Sequence, residues 1–412
     1  MKKILLLGAG YANMSLLTRL DSASLKKAQW TLVTKEPYHY KSITLHDVAS
    51  GKIDKSALFD LEEIKKRGVC VVCDEITSIE ANIARGKNAN YEYDYLTVGL
   101  GFEGDDFGIK GVKQYAKAIT SYKSAQNIRH DIEAKLAQCK DSGCDINFVV
   151  CGGGFSGVEF VSSLAEELQK KCTEYNINFA RIKIACIEAM PNILPMFNAK
   201  LQNLAVKKLE SLGVAVMSGS KILECKESAI VIEQGGEKRE LSADIIIWTA
   251  GVRGNSVIEN SHIFNSVRSK VEVDKFLHPL QLNAQNLGGD SQNLANMAQN
   301  LGVNSQNLAQ NIFIMGDCAA FKDEKSGRFF PPTAQIAREQ GKYLAKVFKI
   351  LLNNPQGKIS PFIFTPKGSI CSLGESYALG NLGIFEIKGR SASALKKIVE
   401  SLWDLQLKGI AL

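Results

Sequence analysis

Twice in this chain a short apolar run meets a cluster of glycines and passes directly into a helical pattern. The first runs from Lys3 to Leu7 into Gly8-Ala-Gly10, the second from Asn147 to Cys151 into Gly152-Gly-Gly154-Phe-Ser-Gly157. A predicted helix follows each loop (Ala12 to Leu20, Val158 to Lys171) and then a second strand (Trp30 to Thr34, Ile182 to Ile187). Continuous apolar strands joined through a helix belong in a parallel sheet covered on both faces. The fold class is therefore α/β, with two Rossmann-like dinucleotide-binding domains in three layers. Several short strands between Val69 and Val98 predict an antiparallel meander attached to the first. The runs at Val214 to Met217, Ala229 to Glu233 and Ile245 to Trp248 add a small sheet to the second. Further helices are predicted at Tyr122 to Cys139, Ala199 to Leu212 and Thr333 to Leu352, and a strand at Ile312 to Met315.

At 412 residues the chain is too long for one hydrophobic core. Residues 1–118 and 270–362 form an expected first domain, 119–269 a second, and 363–412 a small carboxy-terminal region. A formal charge of +7 favours an anionic partner such as a phosphorylated cofactor or an acidic membrane face, and is too mild for nucleic acid. The ten cysteines are scattered, and even Cys70-Val-Val-Cys73 sits in a strand pattern with no second ligand pair, so packing is expected and no metal. His39 and His46 are likewise expected to be packed, because no cluster of His, Cys and acids completes a site. The basic, apolar start is too short for a signal peptide and runs straight into the glycines. No stretch of about 18 apolar residues predicts a membrane-spanning helix. Between Gln281 and Gln310, Gln-Asn-Leu recurs at 285, 292, 299 and 306. One apolar position per heptad cannot build a coiled-coil seam, so a polar surface loop is expected. Near the end, Leu395, Ile398, Val399, Leu402 and Trp403 make an amphipathic stripe flanked by Lys396, Lys397 and Glu400, read as a membrane-interface helix.

Gly152, Gly154 and Gly157 complete a G-x-G-x-x-G between strand and helix. The first makes the tight turn, the second admits a pyrophosphate, and the third packs helix on strand. Phe155 and Ser156 stand at the helix start, where backbone donors and dipole meet phosphates. Glu188, ending the next strand, can accept from a ribose 2′-OH and would repel a 2′-phosphate, which points to NADH over NADPH. In the amino-terminal copy Asn13 replaces the third glycine and Thr34 ends the second strand. That copy gains force from Gly316-Asp317, because an aspartate after a strand and a glycine suits a ribityl or pyrophosphate group. Two such sites suit a flavin domain interrupted by a nicotinamide domain.

Beyond the loops the chain carries Tyr38-His-Tyr40 with Leu45-His46, Tyr93-Asp-Tyr95-Leu96, Gly157-Val-Glu159, Trp248-Thr-Ala-Gly251-Val-Arg253-Gly254, Ile314-Met-Gly-Asp317-Cys-Ala319 and Pro332-Thr-Ala-Gln335-Ile-Ala337. With the tail Gly389-Arg-Ser-Ala392 to Lys396-Lys397, this set resembles the type II, single-subunit NADH:quinone oxidoreductases over nearly all of the chain outside the Gln/Asn loop. The resemblance implies non-covalent FAD, reduction by NADH, and reoxidation by a membrane quinone, menaquinone or ubiquinone, without proton pumping. It implies FAD contacts at Gly8, Gly10, Tyr11, Ala12, Lys35, Gly316, Asp317, Ala334 and Gln335, with Gln335 also beside the quinone. Gly251 and Glu159 would lie by the nicotinamide, and Lys396 or Lys397 would reach in from the tail. A peripheral place on the cytoplasmic side of the bacterial inner membrane is implied, and a homodimer is left open.

Two positions depart from the family pattern. The motif Ala-Gln-x-Ala-x-Gln ends here on Glu339, with Gln340 displaced by one, and Ser163 stands where a Glu is usual. Glu339, if buried, would take the part of a proton donor. Three other readings share the architecture: a sulfide:quinone oxidoreductase, which needs two cysteines by the flavin, a flavin-binding redox sensor or scaffold, and a soluble NADH:oxygen reductase.

Overall fold

Ile4, Leu5, Leu6 and Leu7 are at most 1% exposed, as four consecutive apolar residues must be when both faces of a strand are covered. They form most of β1 (Lys2–Leu7), which leads through helix α1 (Tyr11–Arg19) to the parallel strand β2 (Ala28–Thr34). A short helix, α2 (Leu45–Ser50), follows. Strand β3 (Cys70–Cys73) extends the sheet beyond β2, and β4 (Tyr95–Val98) flanks β1 on its other side. The computed structural model describes residues 1–283 and 309–409, and the seven-residue repeat falls outside them.

The expected meander is narrower than the span from Val69 to Val98. Only Ile76–Ile79, Ile83–Gly86 and Asn90–Glu92 are antiparallel, while β3 and β4 at its two ends lie in the parallel sheet. Parallel strands need a crossover. Here the three short strands supply it in place of a helix.

The second half repeats the plan with β5 (Ala116–Ala118), helix α3 (Tyr122–Ser142), β6 (Ile146–Cys151), helix α4 (Phe155–Tyr175), β7 (Ile182–Glu188), β8 (Val214–Ser218) and β9 (Ile245–Trp248). Helix α4 begins at Phe155, three residues before the predicted start, because Gly154 is already its N-cap. The crossover from β8 to β9 is again three antiparallel strands, Ser220–Cys225, Ala229–Gln234 and Glu237–Ser242. Of the three runs expected to make the small sheet only Ala229 to Glu233 lies in it, because Val214 to Met217 and Ile245 to Trp248 pair in parallel in the main sheet, and its outer two strands escaped the sequence reading. Glu237–Ser242 is almost wholly exposed and carries no apolar alternation to betray it.

A strand from far along the chain, β10 (Ile312–Ile314), completes the first sheet by pairing with β4. The strand orders are then β10-β4-β1-β2-β3 and β5-β9-β6-β7-β8, the same topology except for the origin of the first strand. Helix α5 (Ala334–Asn353) crosses α1 closely, since a Cβ on Gly341 would stand 2.0 Å from the Ala12 carbonyl oxygen. The chain ends in an antiparallel sheet, β11 (Ser369–Ser372), β12 (Ala378–Asn381) and β13 (Glu386–Gly389), and helix α6 (Arg390–Leu407). Helix α2 leaves the first sheet to pack on α3 and α4.

One expectation about α6 is corrected. Trp403 does not belong to an outward stripe: it is 1% exposed and inserted into the first core with Leu407. Ile398, Val399, Leu402 and Leu405 do remain exposed, as do Ile384 and Phe385 at the turn between β12 and β13. Among the described residues no helix is long and apolar enough to cross a membrane.

Candidate active site between the two glycine loops

A cleft of about 1430 Å³ opens between the carboxyl ends of the two parallel sheets. It is larger than the roughly 300–1,000 Å³ of most ligand sites, which leaves room for more than one ligand. All nine residues predicted to contact FAD line it: Gly8, Gly10, Tyr11, Ala12, Lys35, Gly316, Asp317, Ala334 and Gln335. Of the residues predicted for NADH, Phe155, Ser156, Glu159 and Gly251 line the same cleft. Gly152, Gly154, Gly157 and Glu188 do not. The Glu188 carboxylate is turned back on the second loop, accepting from the Gly153 amide at 2.6 Å and the Met190 amide at 2.8 Å.

The first loop is shaped for a close backbone approach. Gly8 has φ +87°, and a Cβ there would stand 2.5 Å from the Gly99 carbonyl oxygen. Asn13, the missing third glycine, is fully buried and donates to the carbonyls of Leu7 at 2.9 Å and Gly8 at 2.8 Å. Its own carbonyl accepts from the Thr97 hydroxyl at 2.8 Å. The residue that weakened the sequence pattern therefore braces the loop. The Ala9 carbonyl accepts from His39 Nδ1 at 2.7 Å, and His39 Nε2 accepts from the Trp403 indole at 3.1 Å. Burial pulls the His39 pKa down to about 4, so the ring is neutral with its proton on Nδ1.

Across the cleft, Gly316 has φ +61° and donates its amide to the Gln340 side chain at 2.7 Å. Gln340, 1% exposed, thus fixes the turn that presents Asp317. Burial pushes the Asp317 carboxyl up to about 6, against the opposing pull of Lys270. The close turn at Gly8, the start of α1 at Gly10 and the acid opposite make a lining whose chemistry fits FAD.

At the junction of the two halves lies Glu159. One of its oxygens accepts from the Ser372 amide at 3.0 Å and pairs with the Lys396 ammonium. Lys396 is the tail lysine that enters the cleft, and its side chain is only 13% exposed. Burial would lower its pKa, but Glu159 and Glu400 outweigh that and leave it raised. Lys397 points outward and is corrected out of the site. Gln335 accepts from the Lys367 amide at 2.9 Å. Glu339 lines the cleft but is ion-paired with Lys367 at 3.2 Å and near Lys342 at 3.9 Å, which is not the apolar burial that proton donation required of it. Arg338, which sequence reasoning passed over, stacks on the Trp403 ring at 4.7 Å. The described residues hold no group of three His, Cys, Asp or Glu arranged for a metal ion.

Two dinucleotide modules facing one cleft define a pyridine-nucleotide oxidoreductase, and the family model for pyridine nucleotide-disulphide oxidoreductases matches residues 2–341. The type II NADH:quinone oxidoreductases of Staphylococcus epidermidis and Staphylococcus aureus are each 34% identical, over 100% of this chain and 97% of their own length. The chain belongs to the type II NADH:quinone oxidoreductases: it binds FAD and NADH and transfers electrons from NADH to a quinone. The structure of NDH2 from Plasmodium falciparum in complex with NADH superposes with a TM-score of 0.85 at 21% identity, covering 99% of this chain and 96% of that one. The sulfide:quinone oxidoreductase of Aquifex aeolicus shares the fold more distantly, with a TM-score of 0.75 at 17% identity over 100% of this chain and 93% of that one. Such an enzyme needs two cysteines by the flavin, and among the described residues no cysteine lines the cleft.

Proposed function

We propose that Glu159 and Lys396 form the working centre of this quinone reductase, where the nicotinamide side, the flavin side and the carboxy-terminal region meet. FAD, when bound, accepts a hydride from NADH and returns two electrons to the quinone. The protein's own residues bind, orient and exclude water. The first loop, Lys35, Asp317 and the start of α5 at Ala334 and Gln335 hold the flavin. Phe155, Ser156 and Gly251 hold the nicotinamide half over it, and Glu188 supports the second loop at its amide face. Residues 1–118 with 270–362 act as the flavin module and 119–269 as the nicotinamide module. The observation that carries this reading is the buried ion pair: a carboxylate from the second glycine-loop helix is held by an amide and an ammonium from the tail, inside the cleft that the first loop lines.

Quinone enters beside α6, where Leu395, Val399 and Leu402 pass from the outer surface into the cleft wall. The exposed Ile384, Phe385 and Ile398 extend that apolar surface, with Lys388, Arg390 and Lys397 around it, as suits a helix and hairpin resting on an anionic bilayer face. The chain accordingly works as a peripheral protein on the cytoplasmic side of a bacterial inner membrane.

Anaerobic titration of the flavin-bearing protein tests the reading. NADH should bleach the flavin and a quinone should restore its colour; bleaching by sulfide but not by NADH would overturn it. Flotation with phosphatidylglycerol vesicles tests the surface. The double variant Ile384→Ser, Phe385→Ser should stay in the dense fraction while bleaching normally, and equal flotation of both proteins would remove the hairpin from the docking face.

A further inference from the structure

The wall behind Glu159 is polar. His46 on α2 is buried, with Nδ1 facing Glu159 Oε2 at 3.7 Å and Nε2 facing Asp47 Oδ1 at 3.6 Å. Asp47 accepts from the Ser163 hydroxyl at 2.8 Å and from the Lys52 ammonium at 3.2 Å. Lys52 is partly exposed, so the line runs from the cleft to solvent in three side chains. The departure at Ser163 acquires a purpose here. One turn beyond Glu159, where the resembled family carries a second carboxylate, the serine leaves room for Asp47, and α2 supplies the acid instead.

Reduction of a quinone by NADH consumes one proton from water: the hydride brings two electrons and one proton, and the quinol holds two protons. We propose that His46 and Asp47 conduct that proton from solvent to Glu159, an inference that rests on the placement of Glu159 beside the reacting groups. The Asp47 carboxylate takes a proton from water and passes it to His46 Nε2 as the Asp47 O–H bond breaks, while the His46 Nδ1–H bond breaks and a Glu159 O–H bond forms. Glu159 then releases the proton into the cleft and returns to the carboxylate, and a flip of the ring resets it. Gaps of 3.6 and 3.7 Å are closed by a small rotation or one bridging water. Every charged group facing the ring enters the balance. Burial lowers the His46 pKa most, Glu159 and Asp47 raise it, and Lys396 and Lys52 lower it, with a net fall. The ring is therefore neutral near pH 7, with one nitrogen to accept and one to donate.

The test separates the two half-reactions in stopped flow, using full-length protein with its FAD. In His46→Gln and Asp47→Asn, reoxidation of the NADH-reduced enzyme by a soluble quinone should slow about tenfold or more. The loss should fall on reoxidation rather than on bleaching by NADH, and the solvent deuterium isotope effect on reoxidation should rise. Added imidazole should restore His46→Ala, a rescue that a merely structural role would not give. Reoxidation of both variants within about twofold of the parent, with an unaltered pH profile, overturns the route. Glu159→Gln distinguishes the levels: if it slows reoxidation while the His46 and Asp47 variants do not, only the route fails. If it too leaves reoxidation unchanged, the placement of Glu159 fails and the route with it.

Discussion

At the first glycine loop the carbonyls of Leu7 and Gly8 are held by the Asn13 amide, and at the second those of Cys151 and Gly152 are held by the Thr249 hydroxyl at 2.9 and 3.3 Å. The registers are equivalent, because Leu7 pairs with Val98 and Cys151 with Trp248. Asn13 thus stands where the second loop has Gly157, and Gly99 stands where it has Thr249. A large polar residue and a glycine have exchanged places across the same gap. The middle carbonyls differ as well. That of Gly153 accepts from the Leu194 backbone amide at 2.7 Å, whereas that of Ala9 accepts from a histidine. The second loop is closed by groups that do not titrate at these carbonyls, and the first depends on one that does. A third glycine is therefore one solution to a packing problem and not a requirement of the fold.

The comparison breaks most severely at Gly157. A Cβ there would stand 1.9 Å from the Gly152 carbonyl oxygen and 2.6 Å from the Thr249 hydroxyl, so Gly157→Ala forces backbone apart. Overpacking of this kind costs roughly 3 kcal/mol or more. NADH should no longer bleach the flavin in anaerobic titration, while bound FAD, measured after heat release, should stay near the parental amount.

Asn13→Ala removes the side-chain donor from the Leu7 and Gly8 carbonyls, leaving the first with the Gly99 amide, and strips the buried Thr97 hydroxyl of its acceptor, a loss of roughly 2 kcal/mol confined to the first loop. FAD should dissociate at markedly lower temperature, followed by the rise of flavin fluorescence. The sharper experiment transplants the second loop's solution. A Cβ on Gly99 meets chiefly the Asn13 side chain, at 3.0 Å, so Asn13→Gly opens space for Gly99→Thr. The double variant should recover about half of the lost stability, and recovery no better than Asn13→Gly alone would show that the loops are not interchangeable.

The smallest effect is one of pH. His39 is held at about 4, below its ordinary 6.5, so its contribution is complete above pH 6.5 and is lost as the pH falls toward 4. Between pH 7 and 5 the first loop should lose roughly 2 kcal/mol by this linkage. FAD release from the parent should shift accordingly, and in His39→Gln the shift over that range should shrink, although the variant starts lower.

Much of this was legible in the sequence, because buried parallel strands advertise themselves as uninterrupted apolar runs and the glycines mark the turns between them. The strands β1, β2, β6, β7 and β10 and the two glycine turns are legible that way, whereas β3, β4, β8 and β9 read as parts of attached antiparallel sheets and the three-residue β5 gives no signal. What escaped depended on partners distant in sequence. Arg338 looked like an ordinary helix residue until Trp403 was seen against it, and Gln340, which reads as a displaced motif position, holds the Gly316 turn. Trp403 misled because an amphipathic stripe has the same spacing whether it meets lipid or core. Lys396 and Lys397 are adjacent, and only the direction of α6 separates the one that meets Glu159 from the one that faces outward. Asn13 read as a defect, since the carbonyls it satisfies belong to a loop that sequence alone does not fold.

The borrowed edge of the first sheet has a consequence for synthesis. All five strands of the second sheet lie between residues 116 and 248, whereas β4 waits for β10, at Ile312–Ile314, before its outer edge is paired. As the chain leaves the ribosome, the module begun first is finished last, and in the interval it presents an open strand edge of the sort that recruits other chains. Ribosome-arrested chains ending before residue 312 should accordingly yield a protease-resistant fragment from the second sheet while β1 and β4 remain cleavable.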